Sequence, residues 1–239
     1  MKLRKFIGVL AFCSSMVALG GGSVYAMKCK GKALGKTDVL AIRLDDEQLT
    51  NEEWIKVNCE FDEKREECII KEGVIKIKQG VFRSNKSLKS LKIPSSVRHG
   101  YKNEFEHCEN LENLEYDGSL KCICLDWVSN CTKLKTVMIN GDIGTIEKGA
   151  FENCRELSQF VVNGNVISID KDAFKGCSKL RNFISHKDVK EIKDGAFGFN
   201  NPDDVRVFIH SDFKDSHPGN KIGPYSIVTK DSRNISELK

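Results

Sequence analysis

A period of 23 residues runs through the middle of this chain for five consecutive steps without an insertion. Stepping from Phe82 reaches Phe105, Val128, Phe151, Phe174 and Phe197. A second column in register runs Val74, Val97, Leu120, Ile143, Val166, Val189, and a third Ile77, Gly100, Ile123, Ile146, Ile169, Ile192. Two more follow in each unit, Leu88, Leu111, Leu134, Leu157, Leu180 and then Leu91, Leu114, Val137, Phe160, Phe183. Each unit thus carries two short apolar pieces that read as strands, such as Val137 with Ile139 and Ile143 with Ile146. A tight turn such as Lys148 to Cys154 joins them, and its expected form is helical or 3₁₀. No unit of this size buries its own apolar side, so the units must stack. The expected fold is an α/β solenoid of about six repeats, mostly short parallel strands with helical or 3₁₀ turns.

Between the Phe and Leu columns lies one that reads Asn85, Cys108, Cys131, Cys154, Cys177, Asn200. Where a chain turns off a strand its inward peptide groups need partners, which Asn supplies and beside which a small, soft Cys fits. The four cysteines are therefore expected to be structural and to remain thiols. Segments such as Ile146 to Leu157 (IEKGAFENCREL) and Ile169 to Leu180 (IDKDAFKGCSKL) resemble the AF-x-x-C-x-x-L signature of the BspA-like, or treponemal-type, leucine-rich repeats. The resemblance covers residues 74 to 210. Two departures stand out: Val128 replaces Phe with Trp127 beside it, and the unit at Asn200, Asn201 and Pro202 loses the Cys and gains a residue before Val205. The resemblance implies a leucine-rich-repeat horseshoe and a noncatalytic module for adhesion or host-surface recognition.

The flanks lie outside the period. Residues 1–26 read as a secretory signal peptide: basic Lys2, Arg4 and Lys5, an apolar run from Phe6 to Leu19, then small residues with cleavage expected after Ala26. The expected location is secreted, periplasmic or cell-surface. Residues 27–73 are expected to form an N-terminal cap. Thr50 with Glu53 suits a capping box for a short helix, while Trp54, Ile55 and Val57 fit a strand as well. A hairpin turning at Asp62 to Arg65 would set Cys59 opposite Cys68, and a disulfide is expected there. Residues 211–239 are expected to be a C-terminal cap or tail, and 74–210 the solenoid.

Composition narrows the function. With 40% hydrophobic and 30% charged residues the chain is neither disordered throughout nor a polytopic membrane protein. Without the three leader cations, 35 basic residues face 34 acidic ones, so no basic field argues for nucleic acid. Charge is nevertheless uneven, acidic over 45–67 and basic over 71–102, with Lys86, Lys89 and Lys92 as a candidate anionic-surface patch. His99, His107, His186, His210 and His217 lack the spacing of a zinc helix, and no phosphate loop or nucleophile elbow is present, so no catalytic site and no cofactor are expected. Cys122 and Cys124 flank inward Ile123 and should point outward; two thiols alone do not complete a tetrahedral zinc site, so no metal is expected there. A thiol or metal protein acting through this pair, or a structural envelope component, is the alternative to the binding module.

The residues that alternate with the inward ones are expected to line the inner curve of the solenoid. The middle column reads Lys92, Glu115, Met138, Val161, Ile184 and, after the one-residue insertion, Phe208. Asn140, Asn163, His186 and His210 flank it on one side and Thr136, Gln159, Asn182 and Arg206 on the other. Four apolar side chains rimmed by amides and imidazoles have the make-up of an interface. The expected partner is another protein or a glycosylated cell surface, met by a monomer without stable membrane insertion.

Overall fold

The computed structural model describes residues 13–18, 24–29, 39–43, 49–62, 66–98, 102–198, 205–210, 221–222 and 225–230. The chain divides into two compact units, Met1–Cys59 and Glu60–Lys239. In the first, β1 (Cys13–Ala18), β2 (Val24–Cys29) and β3 (Val39–Arg43) form an antiparallel sheet with β2 in the middle. β1 and the first residues of β2 fall in the stretch read as a leader. The helix α1 (Asn51–Asn58) follows. Its capping box is complete: Thr50 Oγ1 accepts from the Glu53 amide at 3.3 Å and the Glu53 carboxylate accepts from the Thr50 amide at 2.8 Å. Helix wins over strand here because Trp54 and Val57, three apart, are its buried face.

The second unit is built from β4 (Cys59–Phe61), which straddles the boundary, and β5 (Glu67–Ile70), β6 (Ser90–Ile93), β7 (Asn113–Tyr116), β8 (Leu120–Ile123), β9 (Thr136–Ile139), β10 (Ile143–Ile146), β11 (Gln159–Val162), β12 (Val166–Ile169), β13 (Asn182–Ser185), β14 (Val189–Ile192), β15 (Arg206–His210), β16 (Lys221–Ile222) and β17 (Tyr225–Lys230). They form two sheets, ordered β16-β17-β15-β13-β11-β9-β7-β6-β5-β4 and β14-β12-β10-β8. The sequence period is the register of both. Ser90, Asn113, Thr136, Gln159 and Asn182 lie side by side on parallel strands, as do Leu120, Ile143, Val166 and Val189. β5 enters on the same step, Glu67 beside Ser90, so the ladder begins before residue 74. The extra residue of the last repeat appears as Asn182 beside Arg206, and β17 extends the same sheet with Val207 beside Ile227.

The five apolar columns meet in one interior. Phe105, Phe151, Phe174 and Phe197 are fully buried, and successive rings stack at 5.1 and 5.2 Å between Phe151, Phe174 and Phe197. Where Val128 interrupts the rings, the Trp127 indole fills the gap, its centroid 5.5 Å from Phe105 and 6.2 Å from Phe151. The cysteine column does more than fit. Each thiol donates to a carbonyl of the Phe column one unit earlier: Cys108 to Phe82, Cys131 to Phe105, Cys154 to Val128 and Cys177 to Phe151, at 2.9–3.1 Å. Burial and neighbouring thiols hold Cys131 and Cys154 far from ionisation. At Asn85 the carboxamide oxygen instead accepts from the Ser87 and Leu88 amides.

The turns are of the 3₁₀ type, one of the two expected forms: Ala150, Glu152 and Cys154 each donate to the carbonyl three residues back, and left-handed residues end each run. These residues form two further columns. Gly80, Asn103, Asp126, Gly149, Asp172 and Gly195 have φ between 56 and 72°, and Ser84, His107, Asn130, Asn153 and Gly176 between 58 and 78°. One expectation is corrected: Cys59 and Cys68 are both buried, and no disulfide joins them. The Asp62 amide donates to the Glu67 carbonyl, a register that sets Phe61, not Cys59, opposite Cys68. The Asp62 carboxylate also accepts from the Glu66 and Glu67 amides, which holds this register.

Candidate binding surface

The outer face of the ten-stranded sheet carries the middle column, because along each strand inward and outward side chains alternate. Lys92, Glu115, Met138 and Val161 are half-buried there, each flanked along its strand by buried residues. Ile184 and Phe208, expected to be exposed with them, are not: they are 2% and 4% accessible and form a buried pair against which Val161 packs. The expected patch of four apolar side chains is thus shortened to Met138 and Val161. Alternation fails at β13, where Phe183, Ile184 and Ser185 are buried in succession, as two-sided coverage demands.

The rim is an ordered ladder. Asn163 Nδ2 donates to Asn140 Oδ1 at 2.6 Å, and Asn140 Nδ2 donates to Asp117 at 2.7 Å and to Glu115 at 3.2 Å. Lys92 pairs with Glu115 at 3.3 Å and Asp117 at 3.4 Å. On the other side Thr136 donates to Asn113 at 2.7 Å, and Gln159 and Asn182 are half-buried. His186 is half-buried, and the side chain of His210 lies outside the described residues. The face therefore runs from ionised groups at β6 and β7 to amides and apolar side chains at β9 and β11. A cavity of ≈ 320 Å³ near its charged end is lined by Glu60, Ile69, Lys92, Pro94 and Asp117 among others. Two cations of the candidate basic patch are paired, Lys89 with Glu66 at 2.7 Å and Lys92 as above.

The second candidate lies on β8. Cys122 and Cys124 are half-buried with sulfurs 3.1 Å apart, and Glu147 completes a group whose ligand atoms all lie within 4.8 Å of one another. Glu147 follows Cys124 by one period, so stacking alone sets them side by side. This juxtaposition was legible in the spacing and escaped the reading of Cys122 and Cys124 as an isolated pair. Burial, Cys122 and Glu147 push the Cys124 thiol up to about 12. A thiol held that high is a poor nucleophile at neutral pH, which counts against thiol exchange.

Among the described residues no helix is long and apolar enough to cross a membrane. A family model described as a BspA type leucine rich repeat region matches residues 55–181 in six copies. Among solved structures the chain is similar to a leucine-rich repeat protein from Eubacterium ventriosum ATCC 27560, with 28% identity and a TM-score of 0.50 over 54% of this chain and 35% of that one. It also matches a leucine rich cell surface protein from Faecalibacterium prausnitzii A2-165 at 18% identity and a TM-score of 0.34, over 71% of this chain and 61% of that one. The chain thus spans less than two thirds of the length of either. No curated protein matches it.

Proposed function

This chain belongs to the BspA-type leucine-rich repeat family, and on that premise we propose that it is a secreted or cell-surface module that binds another protein or a glycan-bearing surface. Repeats of this kind present a rigid, extended face to a partner, and none of the chemistry of a catalytic site is needed for that. The observation that carries the reading is the outward column of the ten-stranded sheet. Met138 and Val161 stand half-buried beside the hydrogen-bonded carboxamides of Asn140 and Asn163. An apolar centre with a polar rim held in place by its own hydrogen bonds costs little entropy to engage. The basic leader and the family's adhesive members support export and a surface role.

The test is a pull-down from host-cell or envelope extracts, followed by affinity measurement on the partner recovered. Met138→Asp with Val161→Asp is expected to weaken that affinity by at least about 30-fold, the loss of about 2 kcal/mol that marks a hot spot. The melting temperature of Met138→Asp alone should stay within a few degrees, while Val161→Asp also loses packing on Ile184 and Phe208 and should lower it further. Ile184→Asp, by contrast, puts a carboxylate into a buried site and should lower it sharply. A partner held equally well by the double variant removes this face from the proposal.

A further inference from the structure

Cys122 and Glu147 lie on opposite sides of one inter-strand step of the four-stranded sheet. Cys122 is on β8, the edge strand, paired with Thr145 of β10, and Cys124 follows β8 while Glu147 follows β10. The Leu125 amide donates to Glu147 Oε2 at 2.8 Å and so fixes the carboxylate against the turn that carries Cys124. Two sulfurs and a carboxylate, partly shielded and converging from two successive repeats, are the donor set of a borderline-soft cation. Oxygen-seeking cations such as calcium or magnesium would need more oxygens than these residues supply.

We propose that Cys122, Cys124 and Glu147 bind one zinc ion, with a fourth position left to water. The geometry accommodates it with small adjustment. Tetrahedral zinc with Zn–S bonds of about 2.3 Å places its two sulfurs about 3.8 Å apart. Opening the present 3.1 Å to that value needs a modest side-chain rotation, and both side chains are half-buried, not locked in the core. Binding releases the thiol protons to solvent as the two Zn–S bonds form. The ion would tie the edge strand β8 to β10 across a repeat boundary, a staple at the end of the four-stranded sheet. This site is separate from the sheet face proposed for partner binding and does not depend on that reading.

The experiment uses the full chain, reduced and stripped with chelator, then titrated with zinc against a chromophoric competitor. Cobalt substitution gives a second readout through thiolate-to-metal charge-transfer absorption. One zinc per chain with submicromolar affinity is expected, together with a rise in melting temperature on zinc addition. Cys122→Ser with Cys124→Ser should weaken binding at least about 100-fold and abolish the charge-transfer band, and Glu147→Gln should weaken it about tenfold or more while keeping the band. Glu147→Gln keeps both thiols and so serves if the double serine variant folds poorly. The proposal is overturned if the folded, reduced protein retains no zinc at micromolar concentration, if the double serine variant binds as the parent does, or if protein made with zinc and without reductant carries a Cys122–Cys124 disulfide.

Discussion

At Val128 the ring column lacks a ring, and the neighbouring residue that supplies one brings a carboxyl into the core with it. Trp127 Nε1 donates to Glu104 Oε2 at 3.0 Å, one period away, while Glu104 Oε1 is buried without a hydrogen-bond partner. Burial pushes the Glu104 carboxyl up to about 8 from 4.5, and the indole N–H opposes this only in part. The folded value lies above the unfolded one, so the native state holds a proton that the unfolded chain has already lost between those pH values. Stability is therefore complete below about pH 4.5, falls by at most about 1.4 kcal/mol per pH unit through that window, and levels off above about pH 8. Glu104→Gln should remove the slope: its urea midpoint should match the parent near pH 5 and exceed it at pH 9. Parallel midpoints at both pH values would show that Glu104 does not set the dependence. The residue was readable in principle. Its column continues Trp127, Ala150, Ala173, Ala196, the alanines of the AF pair, all buried, so a Glu there is an inward carboxyl. Rings and leucines dominate the period, and a column of small residues beside them is the weaker signal.

The strands were legible because burial on one face imposes a period of two within a period of 23, and few other patterns satisfy both. The turns were legible only as a choice between helical and 3₁₀ forms, because both start from the same tight bend and part where φ turns positive. The signal for that lay in Gly80, Asn103, Asp126, Gly149, Asp172 and Gly195, residue types that tolerate the left-handed region. Glycine matters for another reason on β10. A Cβ on Gly144 would stand 2.0 Å from the Lys121 carbonyl oxygen of β8, a backbone atom that cannot swing aside. Gly144→Ala should force the two strands apart and cost about 1–3 kcal/mol, seen as a lower urea midpoint. Gly80→Asn is the matched control. Its φ of 70° suits Asn, the equivalent of Asn103, and a Cβ there meets nothing within 4 Å, so its effect should stay within about 0.5 kcal/mol. Equal losses in both variants would mean that close approach at Gly144 is relieved elsewhere. The shortened apolar patch has a similar cause: spacing tells which way Ile184 points, and contacts from outside its strand decide whether that direction ends in solvent.

Across the second unit, charge follows the same stacking rule as the core. Lys89 with Glu66, Lys135 with Glu112, Lys175 with Glu152, Lys179 with Glu156 and Lys193 with Asp170 all join residues one period apart, at 2.5–2.9 Å. Pairs this exposed contribute little each. They favour the correct register over its neighbours, and the apolar columns supply the cohesion. In such a stack each repeat is held by its neighbours, so the last one needs something to close it. Tyr225 meets that need: it is 1% exposed, and its ring stands edge-on to Phe197 at 4.8 Å, the next ring in the column. Tyr225→Ala should cost about 3–5 kcal/mol, and where that loss falls distinguishes two descriptions of the solenoid. If stability is the sum of repeat and nearest-neighbour terms, amide hydrogen exchange should accelerate first in β13, β14 and β15 and least in β6 and β7. Uniform acceleration from β6 to β15 would instead mean that the repeats melt as one unit, with no fraying from the uncapped end.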